Sequence, residues 1–142
     1  MKMKVYVAGP LFSKAELEYN LKIDKILRDA GLETYLPQRD GSVAFFRIAA
    51  GEDRQTVRRE VFEGDLDILR NCDFLVAILD GRSVDEGVCV EIGYAYALGK
   101  KSYGLKTDTR KLDEYGDNLI IEGCISRIFT SAEELVFKVV KL

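Results

Sequence analysis

The chain contains no histidine. That absence removes Ser-His and Cys-His nucleophile pairs and the usual zinc sites, leaving carboxylates and tyrosines for acid and base work. Cysteine is scarce. Cys72, Cys89 and Cys124 are odd in number, far apart and set in apolar surroundings, which points to buried reduced thiols rather than disulfides or a metal knuckle. No stretch approaches the roughly 18 apolar residues of a membrane span. The opening MKMKVYVAGP is too short and too soon interrupted for a signal peptide, so a cytoplasmic location is expected. Two prolines and no low-complexity tract, with 47% hydrophobic and 32% charged residues, exclude a disordered chain. Basic residues are not in excess: a net charge of −3 argues against nucleic acid or an anionic membrane as main partner and leaves small molecules. At 142 residues, one domain over 1–142 is expected, with a core large enough to fold unaided.

What is present alternates between strand and helix. Lys4 to Ala8 (KVYVA) is β-branched and aromatic and stops at Gly9-Pro10, a buried strand followed by a turn. Ser13-Lys-Ala-Glu16 is a capping box ahead of a helix carrying Leu17, Leu21, Ile26 and Leu27 and ending at Gly31. Glu33 to Leu36 reads as a short strand closed by Pro37. From there to about Asp53 no period is visible, and a long loop is expected, of the kind that usually serves as a lid or binding loop. A helix follows over about Arg54 to Asn71, then a central strand, Phe74 to Leu79, and a helix ending at Gly99. Ser102 to Leu105 and Ser126 to Phe129 are the last strands, separated by a polar loop with some helix over Lys106 to Gly123. Ser131-Ala-Glu-Glu134 caps a final helix running to Val140.

This alternation predicts an α/β fold: a doubly wound, five-stranded parallel sheet with helices on both faces, flavodoxin-like or Rossmann-like. Ligands in such sheets bind beyond the carboxyl ends of the strands. The chemistry is thereby directed to Ala8 to Phe12, Pro37 to Phe46, Asp80 to Gly87 and the helix that follows.

Residues 88 to 99, VCVEIGYAYALG, form an apolar stretch interrupted by one carboxylate, Glu91. An unpaired buried carboxylate costs several kcal/mol, so Glu91 either faces solvent, pairs with a lysine, or does chemistry. Its place in the first two helical turns predicts that the helix dipole opposes desolvation and keeps it ionised. Gly93, Ala95 and Ala97 predict close packing that holds it still. On the helix at 54 to 71, Val57, Val61, Ile68, Leu69 and Cys72 share one apolar face, with Asp65 in its middle and Glu60, Glu63 and Asp67 on the other side. Asp65 is then a cap, a satisfied structural acid, a mark of a helix whose end leaves the sheet, or functional. Asp85 is placed either as the N-cap of the next helix or as part of the same site. Tyr6, on the first strand, is either a core tyrosine or a hydrogen-bond donor to Glu91. Two carboxyls in unlike environments can divide into nucleophile and acid, the logic of glycosidic bond cleavage. Neither G-x-G-x-x-G nor G-x-x-x-x-G-K-S/T occurs, so a dinucleotide or ATP cradle is not expected.

YVAGPLF on the first strand, Gly64-Asp65-Leu66, the run Asp85-Glu-Gly-Val-Cys-Val-Glu91-Ile-Gly-Tyr-Ala, and Asp117-Asn118-Leu119 follow in order over nearly the whole chain. Together they resemble the nucleoside 2-deoxyribosyltransferase family. The resemblance implies a retaining double displacement without cofactor or metal, in which Glu91 attacks C1′ of a 2′-deoxynucleoside and a second base takes the deoxyribosyl group. Carried over by position, Asp65 and Asp85 bind substrate and help protonate the departing base, and Tyr6 orients the nucleophile. Gly9, Pro10, Phe12 and Gly87 fall at the substrate. Asn118 is presented to a neighbouring subunit's site, so at least a dimer with a shared active site is implied, acting on deoxynucleosides and free nucleobases. Relatives that hydrolyse deoxynucleoside 5′-monophosphates typically carry serine where this chain has Asp85. An anionic Asp85 repels a phosphate but accepts from a free 5′-hydroxyl, which favours nucleosides. The alternatives are the nucleotide N-glycosidase and a non-catalytic nucleotide-sensing module on the same fold.

Overall fold

The computed structural model describes residues 1–41, 44–114 and 116–142. Five apolar segments form the sheet: β1 (Lys4–Ala8), β2 (Glu33–Tyr35), β3 (Phe74–Ile78), β4 (Lys101–Leu105) and β5 (Arg127–Phe129). All pair in parallel, in the order β2-β1-β3-β4-β5. This is the doubly wound, flavodoxin-like order, with its crevice between β1 and β3, where the winding reverses.

Seven helices connect and flank the strands among the described residues: α1 (Lys14–Asp29), α2 (Pro37–Asp40), α3 (Ala44–Ala49), α4 (Arg54–Asn71), α5 (Glu86–Ala97), α6 (Leu119–Cys124) and α7 (Ala132–Val139). Successive strand residues point to opposite faces, which divides the core in two. Val5 and Val7 of β1 pack with Ile23 and Leu27 of α1 and Leu135 and Val139 of α7. Tyr6 and Ala8 pack on the other face with Leu69 of α4 and Val88, Ile92 and Ala95 of α5. The parity of β1 thus delivers the Tyr6 ring to the face that carries α4 and α5.

The expected caps are present. Ser13 accepts from the Glu16 amide at 3.1 Å and Ser131 from the Glu134 amide at 3.2 Å. The expected loop after Pro37 is instead partly helical, as α2 and α3; positions 42 and 43 within it, and 115 in the later polar loop, lie outside the described residues. Pro37 suits a first helical position. What fixes α2, however, is tertiary: Asp24 of α1, with no exposed surface, pairs with Arg28 and with Arg39, and accepts from the Thr34 hydroxyl. Other boundaries differ from expectation by one or two residues: β4 begins at Lys101, and α1 and α5 stop two residues short of Gly31 and Gly99.

Two packing expectations are corrected. Val61 and Ile68 on α4 are only half-buried, because each lines a cavity, Val61 beside Phe46 and Asp65 and Ile68 beside Tyr35 and Cys72. Gly93 and Ala97 are exposed, and a Cβ at Gly93 would meet nothing within 4 Å, so Ala95 alone of the three packs closely. Of the cysteines, all free, only Cys72 is buried; Cys89 and Cys124 are half-buried. Among the described residues no helix is long and apolar enough to cross a membrane.

Candidate active site

The crevice at the carboxyl ends of β1 and β3 gathers most of the predicted residues. Tyr6 is wholly buried on β1, and its hydroxyl donates to Oε1 of Glu91 on α5 at 3.1 Å. Its strand neighbour in register is Tyr35, whose ring lies 5.3 Å from that of Tyr6 at a tilt of 32°. The Tyr35 hydroxyl donates to Oδ1 of Asp65 on α4, also at 3.1 Å. Two carboxyls from two helices are therefore held by two adjacent tyrosines from the sheet.

Burial dominates the electrostatics here. It pushes the Glu91 carboxyl up to about 8; the Tyr6 hydrogen bond pulls the other way, and the nearby charges of Asp65 and Asp85 push it up further. The expectation that the helix dipole keeps Glu91 ionised is thus overturned, because desolvation outweighs it. Burial also raises Asp65, against the lowering effect of its bond from Tyr35. Both tyrosines are driven above the ordinary phenol range, first by burial and then by the carboxylates around them, so each stays a proton-bearing donor.

Asp85 caps α5, accepting from the Val88 amide at 3.1 Å, and its charge reaches Glu91. Gly87 lies beside it: a Cβ there would sit 3.2 Å from Asp85 Oδ2. A cavity of about 460 Å³ is lined by Pro10, Phe12, Arg82, Ser83 and Asp85, with Phe12 83% exposed at its rim. A second cavity, about 440 Å³, is lined by Leu11, Leu17, Gln38, Phe46 and Asp65. The turn Gly9 to Phe12 divides them, sending Pro10 and Phe12 to one and Leu11 to the other. That turn is fixed by Asn20, nearly inaccessible at 1% exposure, whose amide donates to the Pro10 carbonyl at 2.8 Å and to Gln38 at 3.0 Å. A Cβ at position 9 would lie 2.4 Å from Asn20 Oδ1, which is why glycine stands there.

Asn118 stands apart from this group. It is exposed and caps α6, accepting from the amides of Ile120 and Ile121, and shares no hydrogen bond with the other site residues. The sequence reading missed Tyr35, Gln38 and Asn20. Only the pairing of β1 with β2 places Tyr35 beside Tyr6, and a tyrosine before Leu-Pro carries no signal of its own.

The family model described as nucleoside 2-deoxyribosyltransferase matches residues 5–134. A conserved protein of Enterococcus faecalis is 31% identical, with a TM-score of 0.81 over 99% of this chain and 98% of that one. A 2-deoxyribosyltransferase from Bacillus psychrosaccharolyticus is 25% identical, with a TM-score of 0.78 over 96% of this chain and 95% of the other. At 22% identity, a 2-desoxiribosyltransferase of Leishmania mexicana shares the fold, with a TM-score of 0.69 over 98% and 97% of the two chains.

Proposed function

The chain belongs to the nucleoside 2-deoxyribosyltransferase family, and from that premise we propose that it transfers the 2-deoxyribosyl group between nucleobases by a retaining double displacement on Glu91. The observation that carries this reading is the pairing of two carboxyls with two tyrosines, Glu91 with Tyr6 and Asp65 with Tyr35, in one crevice. Lone structural acids would be paired with cations. Here each meets a neutral donor that leaves its proton state adjustable.

In the first half-reaction Asp65 gives a proton to the base, the C1′–N bond breaks, and the Glu91 carboxylate forms an ester at C1′. In the second, an incoming base attacks C1′ from the vacated side, Glu91 leaves, and the proton of the incoming base returns to Asp65. Inversion twice gives retention. Burial makes both carboxyls reluctant to ionise, so together they hold one proton near neutral pH, and positive charge growing on the sugar draws it from Glu91 towards Asp65. The Tyr6 hydroxyl fixes which oxygen of Glu91 is occupied and so aims the other.

The two cavities suit the two ends of a nucleoside, with the base beside Asp65 and the 5′-end beside Asp85. Asp85 accepts from a 5′-hydroxyl there and repels a 5′-phosphate. Asn118 serves a neighbouring subunit's site in an oligomer of at least two chains; Leu119 and Ile120 beside it, 78% and 69% exposed, supply apolar surface for such a contact.

Incubation with deoxyinosine and free adenine is expected to yield deoxyadenosine, with the intact mass raised by one deoxyribosyl group located on Glu91. If free deoxyribose is the sole sugar product, the activity is hydrolysis. If neither base nor sugar is released, the site only binds.

A further inference from the structure

We propose that Tyr35 is a positioning residue for this reaction: its hydroxyl occupies Oδ1 of Asp65, so that Oδ2 is the oxygen that carries the proton to the departing base. The inference rests on the reading of Asp65 as the acid and adds a role to a side chain that touches no reacting atom.

Among the described residues, Tyr35 makes the one hydrogen bond that Asp65 receives. With Oδ1 accepting from Tyr35, a proton on that oxygen would weaken or reverse the bond, so the neutral acid favours its proton on Oδ2. When that proton leaves with the base, Tyr35 finds itself donating to a carboxylate, and the hydrogen bond strengthens at the moment negative charge forms. The step balances: the C1′–N bond yields its electron pair to the base nitrogen, which takes the Oδ2 proton. Glu91 supplies the new bond to C1′, and Asp65 ends as the anion facing Tyr35.

Tyr35 is also firmly held. Both flanking residues are tied by acids: Thr34 donates its hydroxyl to the buried Asp24, and the Leu36 amide donates to the exposed Asp40 at 2.9 Å. The Tyr35 ring is backed by that of Tyr6. Its hydroxyl is given room by Gly41, where a Cβ would lie 3.0 Å from Tyr35 Oη and 2.6 Å from the Pro37 carbonyl. A strand-end tyrosine needs none of this merely to fill a core. The acids and phenols acting on the pair are Asp40 of α2, Asp65 of α4, Glu91 of α5 and Tyr6 of β1, while the nearby cations are Arg39, bonded to Asp40 and to the Thr34 carbonyl, and Lys4 on the cavity that Tyr35 also lines.

Tyr35→Phe tests the assignment, with carbon-13 NMR of the Asp65 carboxyl and steady-state kinetics as readouts. The titration of Asp65 is expected to move to higher pH. With a deoxynucleoside and an acceptor base, kcat is expected to fall on the order of 10- to 100-fold with KM within about twofold, the size of one hydrogen bond to a charged group. In an Asp65→Asn background the same change should cost nothing further. An unmoved Asp65 titration, an effect confined to KM, or an equal loss without Asp65 would overturn the proposal. Should Tyr35→Phe fold poorly, Tyr35→3-fluorotyrosine keeps the shape with a stronger donor, and the Asp65 titration must then move to lower pH. An inactive wild-type chain sinks the functional reading and this proposal together. An active enzyme with an unmoved titration sinks the Tyr35 assignment alone.

Discussion

Tyr6 and Glu91 lie 85 positions apart and meet at 3.1 Å, hydroxyl to carboxyl, tying the first strand to the helix that follows the third. Glutamine at position 91 can still accept that bond but cannot attack C1′. Glu91→Gln is therefore expected to lose turnover on the order of a thousandfold or more and to form no covalent adduct. Its stability should change in the opposite sense. Glu91 titrates at about 8 when folded against an ordinary 4.5, so between those values the folded chain binds the extra proton and loses stability as pH rises. The variant, free of that loss, should match wild type near pH 4 and exceed it above pH 8 on the order of 5 kcal/mol. Urea midpoints at the two pH values check this; a gain at pH 4 as large as that at pH 9 would contradict it.

The shared proton sets the pH dependence of catalysis. Activity requires one proton on the Glu91–Asp65 pair, so kcat/KM should fall above about pH 8 as the last proton is lost, and fall again in acid when both carboxyls are neutral. A rate profile from pH 4 to 10 measures both limbs. Continued rise beyond pH 9 would show that no such proton is needed.

Asp85 joins two roles that substitution can separate. Serine is as good an N-cap, so Asp85→Ser should leave the melting temperature nearly unchanged, whereas Asp85→Ala should cost about 1 kcal/mol. With the negative charge gone, the ratio of deoxynucleoside monophosphate to deoxynucleoside cleavage should rise in the serine variant. Equal ratios in wild type and variant would remove Asp85 from the 5′-end.

Gly9 is a steric requirement rather than a conformational one. Alanine there drives its Cβ into Asn20, which is buried and pinned at both Pro10 and Gln38, so the clash cannot be relieved by rotation. Gly9→Ala should cost about 1–3 kcal/mol in denaturant unfolding. It should also raise KM for the nucleoside, since the displaced turn is the partition between the two cavities.

The parts of the molecule legible in the sequence were those set by neighbours along the chain. The alternation and β-branching of KVYVA, the run FLVAIL, and the serine caps at 13 and 131 are local, and the strands and helices followed. Asp65 and Glu91 were legible because a carboxylate on an apolar face stands out in any helical projection, and Asp85 because it precedes a helix as its cap. What the pattern could not carry was decided across the sheet. The helix at Pro37–Asp40 depends on Asp24, thirteen or more residues earlier in the chain, and Tyr35 gains its role from register with Tyr6. The protonation of Glu91 was misjudged for the same reason: the dipole is visible in the sequence of a helix, and the depth of burial is not.

The strand order has a consequence for synthesis. β1 emerges from the ribosome before its sheet partners, yet its second neighbour, β3, is complete only at Ile78, and Glu91 comes later still. Parallel pairing across such separations closes slowly and leaves an apolar strand without its partner in the interval. Nascent chains that stop before residue 74 expose Tyr6 and its strand along an open edge, a target for chaperones and proteases. Catalytic competence thus waits for synthesis to pass Glu91, 85 residues after Tyr6.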